Sequence, residues 1–162
     1  MDKNNDKVVV PLVEVARLLS KGNTLAQLAS ITDEQMDALY ALAYQYYNAK
    51  NYSDALKIFK VLSIYDSSNE KYYMGVASCE HGLKNYEKAA DMYSLACALG
   101  GLIDPKPMFF AAICLLKVNQ KDRAIVALES TKIMGRENNS EDADFKKKAE
   151  ELLKILSENT AK

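Results

Sequence analysis

The stretch Lys50-Asn51-Tyr52-Ser53-Asp54-Ala55-Leu56 returns 34 residues later as Lys84-Asn85-Tyr86-Glu87-Lys88-Ala89-Ala90. The correspondence extends outward from this turn. Leu39, Ala43, Phe59 and Leu62 are matched at the same offset by Tyr73, Ala77, Tyr93 and Ala96. After one inserted residue a third copy follows, Asn119-Gln120-Lys121-Asp122-Arg123-Ala124-Ile125, with Ala112 upstream and Leu128 downstream in the expected places. A polar turn between two stretches of helical apolar spacing predicts one antiparallel helix pair per copy. Helix A is expected from Asp33 to Ala49, Glu70 to Leu83 and Pro107 to Val118. Helix B is expected from Ser53 to Tyr65, Glu87 to Leu99 and Asp122 to Met134.

The residue types suit that geometry. Ala43, Ala77 and Ala112 are small where helix A must lie close to its partner, and Ala55, Ala89 and Ala124 do the same early in helix B. A bulkier side chain there would force the pair apart, at roughly 1–3 kcal/mol. Phe59, Tyr93 and Leu128 fill the space between successive pairs. Tyr52 and Tyr86 pack across their turns, whereas Lys121 breaks the pattern and predicts a looser third turn. The 34-residue period of paired helices is that of the tetratricopeptide repeat. The expected fold is all-α, a right-handed superhelix of three such repeats at about 36–69, 70–104 and 105–135.

Boundary signals agree with this division. Thr32 followed by Gln35 forms a capping box, and Thr24 with Gln27 forms another. Gly100-Gly101 breaks the chain before Pro105 and Pro107, which suit a helix start because the missing N–H costs nothing there. An N-terminal region, 1–31, is expected to hold helices from Leu12 to Ser20 and Leu25 to Ser30. Beyond the loop Gly135-Arg136-Glu137-Asn138-Asn139, Ser140 is expected to cap a last helix within 136–162. Its stripe of Phe145, Ala149, Leu152, Leu153 and Leu156 would cover the open end of the core, as solenoid termini require.

Composition narrows the function. The 162 residues carry 21 basic against 22 acidic side chains, a net charge of -1, which gives nucleic acid no basic face to bind. The run Lys146-Lys147-Lys148 is followed by Glu150-Glu151 and reads as a solvated helix face. No apolar run approaches the ~20 residues of a membrane span. Val8-Val9-Val10 is too short for a signal-peptide core, which places the protein in the cytoplasm. Cys79, Cys97 and Cys114 lack disulfide or metal-ligand spacing and read as small buried side chains. His81 is the only histidine, and no phosphate loop or nucleophile motif occurs, so no enzyme and no cofactor are expected.

The A helices of such a stack line its concave side. On the first, Leu39, Ala43 and Tyr46 are expected inward, leaving Tyr40, Tyr44 and Tyr47 as an aromatic strip at i, i+4 and i+7. Repeat geometry then puts Met74, Ser78 and His81 in the groove from the second helix A, and Phe109, Ile113 and Leu116 from the third. All ten tyrosines lie between Tyr40 and Tyr93, so the first two repeats carry most of the grip. Tyrosine supplies rigid contact area with a hydroxyl, which suits a binding surface. The competing reading makes the strip core, covered by the N-terminal helices. Tetratricopeptide domains that clamp a C-terminal carboxylate place Lys and Asn where Tyr40 and Tyr44 stand here, so that mode is set aside.

At this point the chain resembles the class II chaperones of bacterial type III secretion translocators. The resemblance rests on Leu39-Tyr40-Ala41-Leu42-Ala43-Tyr44, Tyr52-Ser53-Asp54-Ala55, Asp66 and Tyr73-Met74-Gly75-Val76-Ala77. It also rests on Asp104-Pro105-Lys106-Pro107, Ala111-Ala112-Ile113-Cys114-Leu115-Leu116 and the earlier Gly22-Asn23-Thr24-Leu25. It spans roughly Leu12 to Met134. It implies a chaperone that holds hydrophobic translocator proteins soluble and unassembled before export, gripping an extended client segment in the groove. It further implies a homodimer formed through the N-terminal region and, in some members, assistance to a transcription activator. Tyr40, Tyr44, Tyr47 and Tyr52 carry over as groove residues. Met74, His81, Phe109 and Ile113 follow from repeat geometry. A general tetratricopeptide scaffold joining soluble partners is the alternative.

Overall fold

The computed structural model describes residues 12–158, and within them the chain is helical with no strand. The helices are α1 (Leu12–Ser20), α2 (Leu25–Leu28), α3 (Asp33–Asn48), α4 (Tyr52–Tyr65) and α5 (Glu70–Gly82). They continue as α6 (Tyr86–Leu99), α7 (Pro105–Lys117), α8 (Lys121–Ile133) and α9 (Ser140–Glu158). From α3 onward each helix packs on the next, and α7 also touches α9. That serial pattern makes three helix pairs followed by a closing helix. The first seven residues and the Val8-Val9-Val10 cluster lie outside the described residues.

The close-approach positions are sealed: Ala43, Ala55, Ala77, Ala89, Ala112 and Ala124 are each 0% exposed. Phe59, Tyr93 and Leu128 fill the spaces between pairs and are likewise buried. Cys79, Cys97 and Cys114 are free and buried, and burial pushes the Cys79 thiol up to about 12, which removes its reactivity at neutral pH. Tyr46 departs from expectation. It stands exposed on α3, while Met36 from the preceding turns is buried in the first core with Ala43.

Capping sets the helix starts. Both capping boxes form, Thr24 with Gln27 and Thr32 with Gln35. Helix α4 begins one residue early because Asn51 is its N-cap, accepting from the Asp54 amide at 3.4 Å. Asp104 caps α7 through the Lys106 amide at 2.8 Å, so α7 starts at Pro105 and takes both prolines into its first turn. On α9 the capping side chain is Asn139, not Ser140: its carbonyl oxygen accepts from the Asp142 amide at 2.9 Å. Lys121, which broke the tyrosine pattern, donates instead to the Leu156 carbonyl near the end of α9 at 3.1 Å. The third pair is therefore tied to the closing helix.

Helix α9 stands where the first helix of a fourth pair would. Phe145 and Ala149 are buried, and Leu152, Leu153 and Leu156 pack beside them against the second core. Its N-terminal end is anchored by Asp142, 1% exposed, which accepts from the Arg136 backbone amide, Nε and a terminal guanidinium nitrogen at 2.8, 2.8 and 2.7 Å.

Candidate functional site: the concave groove

A groove of about 930 Å³ runs along the face made by α3, α5 and the start of α7. One wall is a row of tyrosines. Ring centroids lie 6.3 Å apart for Tyr40–Tyr44, 6.2 Å for Tyr44–Tyr47 and 5.4 Å for Tyr47–Tyr52. Three of these rings come from successive turns of α3, and the fourth opens α4 just past the turn, so a single helix pair supplies the whole row. Tyr44 is 51% exposed, and its ring is available to a ligand. Tyr40 is half-buried, edge-on to Phe59 at 5.7 Å and tilted against Tyr72 at 6.0 Å. The two competing readings of the strip thus divide within it: Tyr40 is partly core, and Tyr44 is surface.

The floor comes from α5 and α6. Met74, Ser78 and His81 line it, with Tyr93 behind them. Ser78 Oγ and the Tyr93 hydroxyl lie 3.3 Å apart and share a hydrogen bond. His81 meets Tyr86 and Tyr93 edge-to-face at 5.6 and 6.2 Å. Burial, and then the nearby Lys117 charge, lower the His81 pKa, which leaves the imidazole neutral at pH 7. Burial also raises the Tyr93 phenol. The floor therefore offers uncharged aromatic faces with a few hydroxyls and one imidazole.

Two glycines make the wall and floor fit together. A Cβ on Gly75 would stand 2.3 Å from the Phe59 ring, and one on Gly82 would stand 2.7 Å from the Tyr52 ring. Their absence of side chain lets α4 aromatics lie directly on the α5 backbone. Toward α7 the lining turns polar, with Glu70, Lys71, Asp104, Lys106 and Arg136 around the apolar Ile103.

The groove lining thus includes Tyr40, Tyr44, Tyr47, Tyr52, Met74 and His81. Phe109 and Ile113 are placed elsewhere, contrary to expectation. Phe109 is 8% exposed and packs at 5.4 Å against Phe145 of α9. Ile113 packs on the same core, as does Leu116. For Phe109 the physical reason is the closing helix, whose Phe145 packs against its ring. The groove takes Phe110 instead, stacked on Tyr93 at 5.6 Å. Phe110, Gly75 and Gly82 escaped the sequence reading. A glycine pair seven apart on one helix face was the available signal for the latter two.

Paired helices with small close-approach residues and an aromatic groove on one face define a tetratricopeptide-repeat fold. A tetratricopeptide-repeat family model matches residues 36–69 and 71–100. The Salmonella typhimurium chaperone protein SicA is 37% identical over 106 residues, which is 65% of this chain and 64% of SicA, just under two thirds of that relative. A T3SS complex from Aeromonas hydrophila superposes with a TM-score of 0.84 at 26% identity, over 92% of this chain and 98% of that one. PcrH of Pseudomonas aeruginosa, in complex with the chaperone-binding region of PopD, superposes with a TM-score of 0.73 at 26% identity, over 80% and 96%. The matched repeats and the superpositions show a tetratricopeptide-repeat fold shared with these chaperones.

Proposed function

We propose that this protein is a bacterial cytoplasmic chaperone, not an enzyme. It binds an extended segment of a hydrophobic translocator in the concave groove and keeps that client soluble and unassembled until export. The observation that carries the reading is the open tyrosine row on an uncharged aromatic floor, with Tyr44 half-exposed at its centre. An apolar surface of this kind can cover a client that would otherwise aggregate in water. PcrH, bound to the chaperone-binding region of PopD, supports it. Tyr40, Tyr44, Tyr47, Tyr52, Met74 and His81 are the contacting residues, and the polar end near Lys71 and Lys106 bounds the segment. Among the described residues no helix is long and apolar enough to cross a membrane, which accords with that location.

The N-terminal region, 1–31, serves dimerisation in this reading. Within it α1 leaves Val13 81% and Leu19 39% exposed, an apolar face that another copy can cover. A transcription activator is a further partner, engaged once the client has left.

The test is co-expression with the translocators of the same secretion system. The wild-type chain should keep the client soluble and co-purify with it. Tyr44→Ala should weaken binding about tenfold, as loss of an aromatic anchor does, while the melting temperature stays unchanged. Full client capture by that variant would remove the groove from the account. Capture only of folded, soluble partners would point to a scaffold.

A further inference from the structure

An extended client segment brings a main-chain N–H and C=O at every residue, and those turned onto an apolar floor lose water and must find a partner there. The groove floor has little to offer. Met74 has no donor, and Ser78 Oγ and the Tyr93 hydroxyl already share a hydrogen bond at 3.3 Å. His81 is different. It lines the same floor, and among the described residues neither of its ring nitrogens bonds to the chain. No unpaired polar side-chain atom is buried among those residues, so both nitrogens open into the groove. A neutral imidazole carries one donor and one acceptor, the complement of a peptide group.

The surroundings hold the ring in that neutral form. The titratable groups that touch it or face it across the groove are Tyr86 and Tyr93 of α6, Tyr47 of α3, Tyr52 of α4 and Lys117 of α7. None of the tyrosines offers a counter-charge, and Lys117 has the wrong sign. Glu80 is next to His81 in sequence but is 3% exposed and held by Lys60 of α4 and by Asn85, at 3.2 and 2.8 Å. No carboxylate therefore supports an imidazolium, and burial with the Lys117 charge lowers the His81 pKa below the ordinary 6.5. A client lying over the ring adds desolvation, and a protonated ring would lose its acceptor as well.

We propose that neutral His81 hydrogen-bonds a main-chain peptide group of the bound client segment, and that protonating His81 releases the segment. The inference rests on the client reading and adds how the groove lets go. Because binding favours the unprotonated ring, the complex is fully stable above the free His81 pKa. It weakens as pH falls through that value, by up to about tenfold per pH unit.

The probe is the translocator segment that the co-expressed complex protects from limited proteolysis, made as a synthetic peptide. Titration calorimetry on the full chain should show affinity falling roughly tenfold between about pH 7.5 and about pH 5. His81→Leu should bind about fivefold more weakly at neutral pH, through the lost hydrogen bond. His81→Gln keeps a donor and an acceptor and should recover part of that loss. Neither variant should share the wild-type pH dependence. The same dependence retained in both variants, or wild-type affinity in His81→Leu, overturns the proposal. A second readout uses the unmutated chain. His81 is its only histidine, so carbon-13-labelled histidine gives one imidazole signal, and saturating peptide should lower its titration midpoint by about one pH unit. An unchanged or raised midpoint overturns the proposal. Capture of a translocator that ignores both pH and His81 sinks this inference alone, whereas no capture at any pH sinks the chaperone reading on which it stands.

Discussion

Replacing Gly75 with alanine probes how the first two helix pairs meet. The added Cβ would lie 2.3 Å from Cδ1 of Phe59, 2.5 Å from its Cε1 and 2.6 Å from its Cγ. The ring cannot move aside, because Phe59 is 1% exposed and edge-on to Tyr40 at 5.7 Å. Overpacking of this kind costs about 1–3 kcal/mol. Alanine returns up to ~1 kcal/mol in helix propensity over glycine. With three ring atoms overlapped at once, the cost falls toward the upper end, and the net loss is about 1–2 kcal/mol. For a chain of this size that lowers the melting temperature by roughly 5 °C, measured by far-UV circular dichroism or calorimetry. Gly82→Ala provides the contrast. Its Cβ would meet Tyr52 Cδ2 and Cε2 at 2.7 Å, but that ring is half-buried and borders the groove, so it can swing into open space. Stability should change by less than ~0.5 kcal/mol, while the displaced ring narrows the groove and weakens client binding. A Gly75→Ala protein as stable as wild type would show that Phe59 repacks freely, and the close-approach argument would fail.

Three further outcomes follow from particular contacts. Lys84 closes its turn with φ at +63°, a left-handed conformation that costs a side-chain-bearing residue about 1 kcal/mol. Lys84→Gly should therefore raise stability by about that amount in denaturant unfolding, and a loss would refute the strain. Asp142→Asn removes the negative charge and one of the two oxygens that accept from Arg136 at the start of α9 and should cost about 2 kcal/mol, with earlier protease cleavage around α9 as the readout. The Arg136 hydrogen bonds hold the Asp142 carboxyl down at about 2, against an ordinary value of 3.8. A depressed carboxylate stabilises the fold above its unfolded pKa, so that contribution is complete above about pH 5 and disappears as pH falls from 3.8 toward 2. Acid titrations of wild type and Asp142→Asn should diverge in that window. Tyr40→Ala should lower stability by about 2 kcal/mol because it strips an aromatic neighbour from Phe59 and Tyr72. Equal melting temperatures for Tyr40→Ala and Tyr44→Ala would show that the row is uniformly surface.

The repeat was legible because it is written in local chemistry. Alanine at each close approach, a polar turn every 34 or 35 residues and capping boxes at Thr24 and Thr32 all act over a few residues. The helix starts deviated by one or two positions where Asn51, Asp104 and Asn139 took the capping role. The tyrosine row was legible for the same reason, since Tyr40, Tyr44 and Tyr47 share a helix and its pitch places them together.

What repeat spacing could not decide was which surfaces remain open after the pairs stack. Phe109 and Phe110 are neighbours in sequence and both rings meet Phe145, yet Phe109 is buried while Phe110 also borders the groove and stacks on Tyr93. That choice depends on where α9 lies, and α9 is held by Asp142 on Arg136 and by a stripe of leucines on the second core. Tyr46 was misassigned on similar grounds, since exposure depends on neighbouring helices and not on spacing along its own. The sequence by itself determined the helix pairs and the aromatic character of one face. Only the tertiary packing decided where that face ends, because burial depends on side chains brought together from distant parts of the chain.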